Sequence, residues 1–407
     1  MAFAFRTAGQ VLFGRGESAR AAAIAVGLGR RVLLCTGAAS LEASGALDRL
    51  VEQLGRAPDG CARFAVPREP DVPLVDEATA CARAEGCDVV LGCGGGAALD
   101  VAKAVAALAT NGGGARDYLE DVGPGGGRAL ERPSLPTVLV PTTAGTGAEV
   151  TRNSVLRVPD RAVKRSMRSD LLLPRVAVID PDLAAGAPPR VAAAAGLDAL
   201  THLVEAYVSR AAQPLTDALA VQGIPLALRG LRALADGAAT PATAEGLALA
   251  ALYGGMAVAN AGLGAAHGLV APLGGLLEVT HGVGCAALLP SVMLVNVAAL
   301  RAAAPESPAL RRYDEVAGIV LGATESRGGP GLPERAPKRA PASVERAART
   351  IAGLRRRLGL PGMAEIGIPA DRIGPLLQEC RGGSMRANPV VLDDADLERI
   401  LLGRVDE

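Results

Sequence analysis

Short apolar runs alternate with helix-like segments over the first 184 residues, and this alternation constrains the fold more than any other feature of the chain. The apolar runs cover residues 32–36, 61–66, 88–92, 137–140 and 176–179, and helical spacing covers residues 40–54, 72–85 and 97–109. Buried strands that alternate with helices are typical of a parallel sheet with helices on its faces. We therefore predict an α/β domain with a parallel sheet over residues 1–184.

The pattern changes after residue 181. The rest of the chain is rich in Ala and Leu at helical spacing and shows little strand signal. We predict an all-α C-terminal domain over residues 185–407. Within it, residues 322–343 are rich in Pro, Gly, Arg and Ser, which predicts a mobile surface loop between two helices.

One stretch of the predicted helical domain is long enough to cross a membrane. Residues 246–277 contain no Asp, Glu, Lys or Arg, and about 20 apolar residues suffice for a span. However, Asn260, His267 and Pro272 interrupt the apolar sequence. Helices that are hydrophobic all round also occur in the cores of large globular proteins. We therefore expect a buried core helix followed by a loop, and no membrane partner.

Charge and cysteine content narrow the classes of function. The chain has 42 basic and 42 acidic residues, so no basic surplus indicates a nucleic acid or an anionic membrane as partner. Its seven cysteines include no CxxC pair, which is typical of reduced thiols. The N-terminal residues show no basic region followed by an apolar run. We expect a cytoplasmic protein.

A glycine-rich loop follows the third predicted strand, in the sequence DVVLGCGGGAALDVAKAV. Glycines allow a phosphate to approach the backbone, and a helix N-terminus offers free N–H groups and a positive dipole end. The loop has neither the usual GxGxxG pattern nor the lysine of a Walker A loop. It predicts a nucleotide diphosphate site, and an ordinary glycine-rich turn is the alternative.

A second polar loop follows the next strand, in the sequence TVLVPTTAGTGAEVT. Thr142, Thr143 and Thr146 offer hydroxyl groups, and glycines keep the backbone accessible. Two such loops at the ends of neighbouring strands would form the crevice in which open α/β sheets bind ligands. The alternative is ordinary turn chemistry.

The chain has only three histidines, and all of them lie in apolar segments of the predicted helical domain. Asp198 and His202 are four residues apart, so on a helix they share one face. A carboxylate and an imidazole at this spacing can reach one metal ion. Glu205, one turn further along, either supports the metal ligands or lies on the helix surface, and we expect the surface position.

His267 and His281 are 14 residues apart, which is about 21 Å along one straight helix. Metal–nitrogen bonds are only about 2.0–2.1 Å long, so the two histidines must lie on different elements. Pro272 and the two glycines after it are the predicted break. One carboxylate and three imidazoles would suit Fe(II) or Zn(II). Neither histidine-bearing segment, 195–209 or 264–282, contains a cysteine, so we expect no thiolate ligand; three hydrogen-bonded core histidines are the alternative.

Four segments together resemble the iron-dependent (group III) alcohol dehydrogenases: GGGAALDVAK, PTTAGTGAEVT, GLDALTHLVEAYVS and HG(x11)THGVGCAALLPSVMLVN. The resemblance implies a dehydroquinate synthase-like architecture. In it an N-terminal Rossmann-like domain binds NAD(P), and an all-α C-terminal domain holds a metal in the cleft. The implied metal ligands are Asp198, His202, His267 and His281. The implied cofactor contacts are Gly95, Gly96, Ala97, Asp100, Thr142, Thr143, Thr146 and Lys164, of which Lys164 would reach the nicotinamide ribose.

The chain departs from the family pattern at three places. Ala97 stands where the family usually has Ser, and Ala271 stands where it often has a further His near the nicotinamide. No side-chain proton relay is therefore assigned. NAD-preferring members often carry an Asp after the second strand, whereas this chain has Gly37 and, three residues later, Ser40. Because Ser40 could bind a 2′-phosphate and no carboxylate would repel it, the sequence favours NADP.

The resemblance implies a metal-dependent alcohol dehydrogenase or aldehyde reductase. It would transfer hydride between NAD(P)(H) and a small alcohol, aldehyde or ketone, use Fe(II) or Zn(II), and form a homodimer. The alternatives are a maleylacetate reductase-like or other specialised carbonyl reductase, and a dehydroquinate synthase-like lyase that uses NAD and a metal. A further alternative is a non-catalytic nucleotide-binding scaffold.

Overall fold

The computed structural model describes three ranges of the chain, residues 2–37, 45–325 and 343–404. Ser40 and nearly all of the predicted loop at 322–343 lie outside these ranges. The chain divides into two compact units. One is Arg6–Ala187, and the other is Pro188–Glu407 together with Met1–Phe5.

The unit Arg6–Ala187 contains eight strands. They are β1 (Gln10–Phe13), β2 (Val32–Gly37), β3 (Cys61–Val66), β4 (Val89–Gly94), β5 (Thr137–Pro141), β6 (Asn153–Val158), β7 (Val163–Arg168) and β8 (Val176–Ile179). Six of them form one sheet in the order β1-β8-β5-β4-β2-β3, and every pairing in it is parallel. The predicted parallel α/β sheet is confirmed. Strands β6 and β7 form a separate antiparallel pair.

The five apolar runs of the sequence correspond to β2, β3, β4, β5 and β8. The sequence pattern did not predict β1, β6 or β7. Strand β1 is only partly buried, and along β6 buried and half-buried residues alternate. Neither forms the continuous apolar run that is typical of a strand covered on both faces.

The described part of this unit also contains the α-helices α1 (Ala21–Leu28), α2 (Ala46–Leu54), α3 (Val72–Ala84), α4 (Gly96–Asn111) and α5 (Pro181–Ala185). Helix α4 is buried on nearly every side. Gly92 of β4 makes this close packing possible, because a Cβ there would lie 2.7 Å from Ala102 of α4 and 2.8 Å from Leu139 of β5. The helix that follows the glycine-rich loop is thereby held directly against the strand that precedes it.

The order in which the chain adds strands to the sheet reverses between β2 and β4. After β2 the chain continues to β3 on one side, and after β4 it continues to β5 on the other. The ends of β2 and β4 almost touch, since a Cβ on Gly94 would lie 2.9 Å from the backbone nitrogen of Gly37. Open α/β sheets bind ligands at the carboxyl ends of strands at such a switch point.

Every secondary-structure element that the structure describes after β8 is a helix. The α-helices of the second unit are α6 (Pro189–Val208), α7 (Pro214–Ala235), α8 (Pro241–Ala261), α9 (Ala265–Leu276), α10 (His281–Ala303), α11 (Pro308–Glu325), α12 (Val344–Arg357), α13 (Met363–Ile366), α14 (Ala370–Glu379) and α15 (Asp394–Leu401). Helices α6, α7 and α8 pack against one another, and α10 packs against α6. The all-α character predicted for this part of the chain is confirmed.

Four described helices, α6, α7, α8 and α10, are long and apolar enough to cross a membrane by length and composition alone. Our expectation from sequence singled out only one such stretch, residues 246–277, and in this respect it was wrong. In the structure this stretch forms most of α8 and all of α9. Between 44% and 78% of each candidate window is buried inside the protein, so these apolar surfaces pack largely against other parts of the chain.

Candidate metal and nucleotide sites

Helix α6 directs three polar side chains toward one point in the core of the helical unit. Asp198, His202 and Glu205 occupy positions i, i+4 and i+7, which share one helix face. All three residues are buried, with no more than 5% of their surface exposed. The expectation that Glu205 lies on the helix surface was wrong, because the face that carries Asp198 also carries Glu205 into the core.

His267 and His281 lie on different helices, as their spacing required. His267 is in the first turn of α9, and His281 is the first residue of α10. The break between them is not at Pro272, which lies inside α9. The helix ends at Leu276, and Glu278 then adopts a left-handed conformation with φ of 57°. A single proline removes only one N–H donor from a helix, and tertiary packing can compensate for that loss.

The four predicted ligands converge in the structure. The distance to Asp198 Oδ1 is 3.4 Å from His267 Nε2, 3.6 Å from His281 Nε2 and 4.0 Å from His202 Nε2. The rings of His202 and His267 stack with centroids 4.5 Å apart. His281 is the most accessible of the four, with 38% of its side chain exposed.

Glycines allow the helices that carry these side chains to approach closely. A Cβ on Gly254 of α8 would lie 3.1 Å from His202 Cβ, and one on Gly282 of α10 would lie 2.7 Å from the backbone oxygen of Ala194 in α6. A Cβ on Gly284 would lie only 2.4 Å from Val270 of α9. The glycines of this apolar region therefore allow the candidate ligand atoms to come together.

Glu205 holds His267 in one orientation. Its carboxylate accepts hydrogen bonds from His267 Nδ1 at 2.7 Å, from the backbone N–H of Ala266 at 2.7 Å and from that of Gly264 at 3.0 Å. Because Nδ1 donates to Glu205, the Nε2 atom of His267 is left to face Asp198. Such a carboxylate–histidine pair fixes the tautomer of a metal ligand and raises its basicity.

A fifth side chain enters the same cluster. Cys285, one helical turn after His281, places its Sγ 3.6 Å from His267 Nε2 and 3.8 Å from His281 Nε2. One ligand atom from each of Asp198, His267, His281 and Cys285 lies within 4.8 Å of the others. The expectation of no thiolate ligand rested on segments that ended at Gly282, so it did not take Cys285 into account. The i+4 spacing from His281 was the signal that could have identified Cys285.

The electrostatics of the cluster fit a bound cation. Asp198 Oδ1 is buried without a hydrogen-bond partner among the described residues. Burial alone would raise the pKa of Asp198, but the surrounding imidazoles outweigh it and lower this pKa, so the carboxylate stays charged. Burial lowers the pKa of His202 to about 4, which keeps its ring neutral and able to bind a metal. An unpaired carboxylate oxygen beside three imidazole rings is the donor set of a divalent metal site.

Residues from the two polar loops of the other unit meet at the start of α4. Gly95 precedes this helix, whose first turn has no side-chain cap. A Cβ on Gly96 would lie 2.8 Å from Thr146 Cγ2, and one on Gly95 would lie 3.7 Å from Thr143 Cγ2. The structure therefore brings the predicted phosphate loop and the threonine loop side by side, next to uncapped N–H groups suited to an anion.

Several other residues that were predicted to contact the cofactor form hydrogen bonds or ion pairs within the protein. Asp100 accepts a hydrogen bond from the backbone of Val155 and pairs with the buried Lys103 at 3.0 Å. Lys164, on β7, forms an ion pair with Glu69 at 2.7 Å. Ala97 is the second residue of α4, and Thr142 is a buried residue whose N–H donates to the carbonyl of Gly94. Their contacts with a cofactor stay predictions.

Sequence reasoning also missed a buried carboxyl group beside these loops. Glu149 is buried, and its Oε2 has no hydrogen-bond partner in the described part of the chain. Burial raises its pKa to about 7, although the charge of Lys103 opposes this shift. Lys103 itself donates to the backbone oxygen of Ala148 and to Thr151, and so ties α4 to the end of the threonine loop.

The structure thus combines a candidate metal site with an α/β unit of the kind that binds nucleotides, and comparison with known proteins assigns the chain to a family. Residues 8–181 match the iron-containing alcohol dehydrogenase profile, and residues 192–401 match the C-terminal profile of the Fe-containing alcohol dehydrogenase family. The chain belongs to the iron-containing alcohol dehydrogenase family.

Individual relatives support this assignment. The chain is 46% identical to long-chain-alcohol dehydrogenase 1 of Geobacillus thermodenitrificans over 55% of its own length, and spans only 56% of that protein. It is 33% identical to the NAD-dependent methanol dehydrogenase of Bacillus methanolicus, over 78% of this chain and 77% of that protein. A solved structure of 1,3-propanediol oxidoreductase superposes with a TM-score of 0.83 at 31% identity and covers both chains completely.

Proposed function

We propose that this protein is a metal-dependent alcohol dehydrogenase or aldehyde reductase. The observation that carries the proposal is the convergence of three histidine nitrogens within 4.0 Å of Asp198 Oδ1. Family membership and the names of relatives that act on small alcohols support the reaction class. The substrate we propose is a small alcohol, aldehyde or ketone.

The residues that would hold the metal are Asp198, through Oδ1, and His202, His267 and His281, through Nε2. A divalent ion at this position would supply Lewis-acid polarisation of an alcohol or carbonyl oxygen. Glu205 keeps His267 oriented for binding by accepting its Nδ1–H and two backbone N–H groups of the same turn. Both Fe(II) and Zn(II) accept these ligands, and family membership favours iron.

The residues that would hold the cofactor are those of the two loops at the switch point. The nicotinamide cofactor supplies or accepts the hydride. Gly95 and Gly96 leave room for a diphosphate beside the free N–H groups of α4, and Thr143 and Thr146 flank the same position. Gly37, at the end of β2, lies next to Gly94, at the end of β4. Ala271 provides no proton-transferring group, so we propose no role for a side chain at this position in proton transfer.

We propose NAD(P) as the cofactor. Two observations bear on the choice between NAD and NADP, and they favour different answers. The absence of a carboxylate at residues 36–40 in the sequence favours NADP. The NAD-dependent methanol dehydrogenase among the relatives favours NAD. NAD is the form supported at the level of the family, and a preference for NADP is the hypothesis specific to this chain.

We also propose a cytoplasmic location and a homodimeric state. All seven cysteines are free, which is compatible with a reducing compartment. The dimer rests on the family resemblance. Sedimentation of the purified protein would test the dimer directly.

The test of the proposed reaction is oxidation of reduced cofactor by the purified protein, loaded anaerobically with Fe(II) or Zn(II). NADH and NADPH are offered separately with a panel of short aldehydes and ketones. We expect metal-dependent oxidation, and its loss in His267→Ala with NAD(P) binding retained. Full turnover by a metal-free His267→Ala protein would contradict the proposal.

A further inference from the structure

The buried thiol of Cys285 lies where a further metal ligand would lie. A tetrahedral metal with bonds of about 2.0–2.1 Å to nitrogen and about 2.3 Å to sulfur holds these donors roughly 3.5–3.6 Å apart. The distances from Cys285 Sγ to His267 Nε2 and His281 Nε2 are 3.6 and 3.8 Å. The thiol therefore approaches both imidazoles at the separation that a shared ion requires.

The carboxylate meets the same geometric criterion. Bonds of about 2.0–2.2 Å place a tetrahedral pair of nitrogen and oxygen donors roughly 3.3–3.5 Å apart. Asp198 Oδ1 lies 3.4 Å from His267 Nε2 and 3.6 Å from His281 Nε2. This oxygen is buried, and no hydrogen-bond partner for it exists among the described residues. By contrast, His202 Nε2 lies 4.0 Å away.

Two helices fix the position of the sulfur. Cys285 lies one turn after His281 in α10, on the same helix face, and is fully buried. Gly284, beside it, allows α10 to pack on α9, because a Cβ there would overlap Val270. The thiol is therefore held against His267 by helix packing rather than by a flexible loop.

We propose that Cys285 is a direct ligand of the metal in addition to Asp198 and the three histidines, with its Sγ reaching the ion beside His267 and His281. This inference rests on the proposed function, since it requires the metal site to be real. On binding, the S–H bond breaks, the sulfur–metal bond forms with the sulfur's own electron pair, and the proton is released to solvent. No change of oxidation state is involved.

A thiolate ligand changes which ion the site prefers. Soft sulfur donors favour Zn(II) over harder divalent ions, whereas carboxylate and imidazole ligands discriminate less. The protein is therefore expected to hold Zn(II), or Co(II) as its spectroscopic substitute, more tightly relative to Fe(II) than a site built only from Asp198 and the three histidines.

The test is the absorption spectrum of the protein loaded anaerobically with Co(II). A cobalt–thiolate bond gives a sulfur-to-metal charge-transfer band in the near ultraviolet that imidazole and carboxylate ligands do not give. We expect this band in the wild type and in Cys380→Ser, a control at another buried cysteine of the same unit. We expect Cys285→Ser to lose the band and still bind one cobalt per chain.

Zn(II) affinity, measured by chelator competition, provides a second readout. It should fall about 10- to 100-fold in Cys285→Ser, the range seen when groups that support a metal site are removed, and Fe(II) affinity should fall less. Cys285→Ala serves in place of Cys285→Ser if circular dichroism shows that the serine variant does not fold.

The outcomes separate this inference from the proposed function. One cobalt bound by the wild type without a charge-transfer band, or an unchanged band in Cys285→Ser, would overturn the thiolate ligand alone. A wild-type protein that binds no Co(II), Zn(II) or Fe(II) would overturn both the thiolate ligand and the metal-dependent reaction.

Discussion

Among single residues, Glu205 makes the largest number of hydrogen bonds to the segment that carries the candidate ligand His267. It is buried, and its two oxygens accept three N–H groups, one from His267 and two from the backbone at the start of α9. It therefore fixes both the ring and the helix that carries it. A buried carboxylate that is removed leaves donors unsatisfied at a cost of about 1–3 kcal/mol per group.

Substituting Glu205→Gln is expected to weaken metal binding about 10- to 100-fold with the fold retained. An amide has one acceptor oxygen and one donor nitrogen, so one of the N–H groups now bound by Glu205 would face a donor. Chelator competition measures the affinity, with the exposed Glu52→Gln as control. Wild-type metal affinity in Glu205→Gln would show that this carboxylate does not position His267.

Glu149 makes stability depend on pH with a defined sign. Burial raises its pKa from 4.5 to about 7, so the folded state binds a proton more tightly than the unfolded state does. The free energy of unfolding should therefore fall as pH rises from about 4.5 to 7 and stay lowered above pH 7. The contribution is about 3 kcal/mol at most, from 1.36 kcal/mol per pKa unit.

Glu149→Gln cannot ionise, so its stability is expected not to fall as the pH rises through 7. The variant should therefore be more stable than the wild type at pH 8 but not at pH 4. Urea unfolding of both proteins at the two pH values measures the difference. Glu52→Gln again serves as the control. A wild type and a Glu149→Gln variant whose stabilities run parallel across this range would contradict the assignment of a raised pKa to Glu149.

At the level of elements, the βα turn at the start of α4 depends on contact between two loops. Gly96 packs against Thr146 so closely that a methyl group there would lie 2.8 Å from Thr146 Cγ2 and 3.1 Å from its Oγ1. The threonine hydroxyl also accepts the N–H of Ala148. Displacing the threonine would therefore disturb both loops that we propose to hold the cofactor.

Gly96→Ala is expected to weaken NAD(H) binding about tenfold or more, equivalent to about 1.4 kcal/mol. Adding Thr146→Ser removes the methyl group that clashes, keeps the hydroxyl, and should restore most of the affinity. Gly27→Ala, in α1 with open space around it, is the control. Fluorescence titration measures the affinity; no change in Gly96→Ala would place the cofactor elsewhere.

The elements also show how far the sequence can predict this structure. Strands β2, β4, β5 and β8 were predictable because they are buried along nearly their whole length and mostly apolar. The edge strand β3 is only partly buried and carries Arg63, and its signal is weaker. The half-buried β6 and β7 lack this signal. The convergence of the three histidines was predictable from their rarity and spacing. Helical spacing places Cys285 on the face of His281 and Glu205 on the face of Asp198, but the distances between these side chains depend on how α6, α9 and α10 pack, which no local pattern encodes.

On the scale of the whole molecule, the two proposed binding functions reside in different parts of the chain. The candidate cofactor loops belong to Arg6–Ala187, and all candidate metal ligands belong to Pro188–Glu407. Each set of side chains is supported by contacts within its own unit. Loss of one ligand should therefore leave the other site intact.

Removing the metal with a chelator is expected to abolish turnover, to leave NAD(H) affinity unchanged, and to lower thermal stability. A ligand present at 100 times its Kd stabilises the folded state by about 2.7 kcal/mol, and this contribution is lost with the ion. Calorimetry and cofactor titration on the chelated and reloaded protein measure both effects. Loss of cofactor affinity on chelation would contradict the separation of the two sites.

The measurement that tests the central claim most directly is transfer of deuterium from an alcohol labelled at its carbinol carbon to oxidised cofactor. It is followed by mass spectrometry in metal-loaded wild type, chelated wild type and His267→Ala. We predict that deuterated reduced cofactor accumulates with the metal-loaded wild type alone, because hydride transfer is net and requires the ion. No accumulation of reduced cofactor with any small alcohol, or equal accumulation in His267→Ala without metal, would contradict the account.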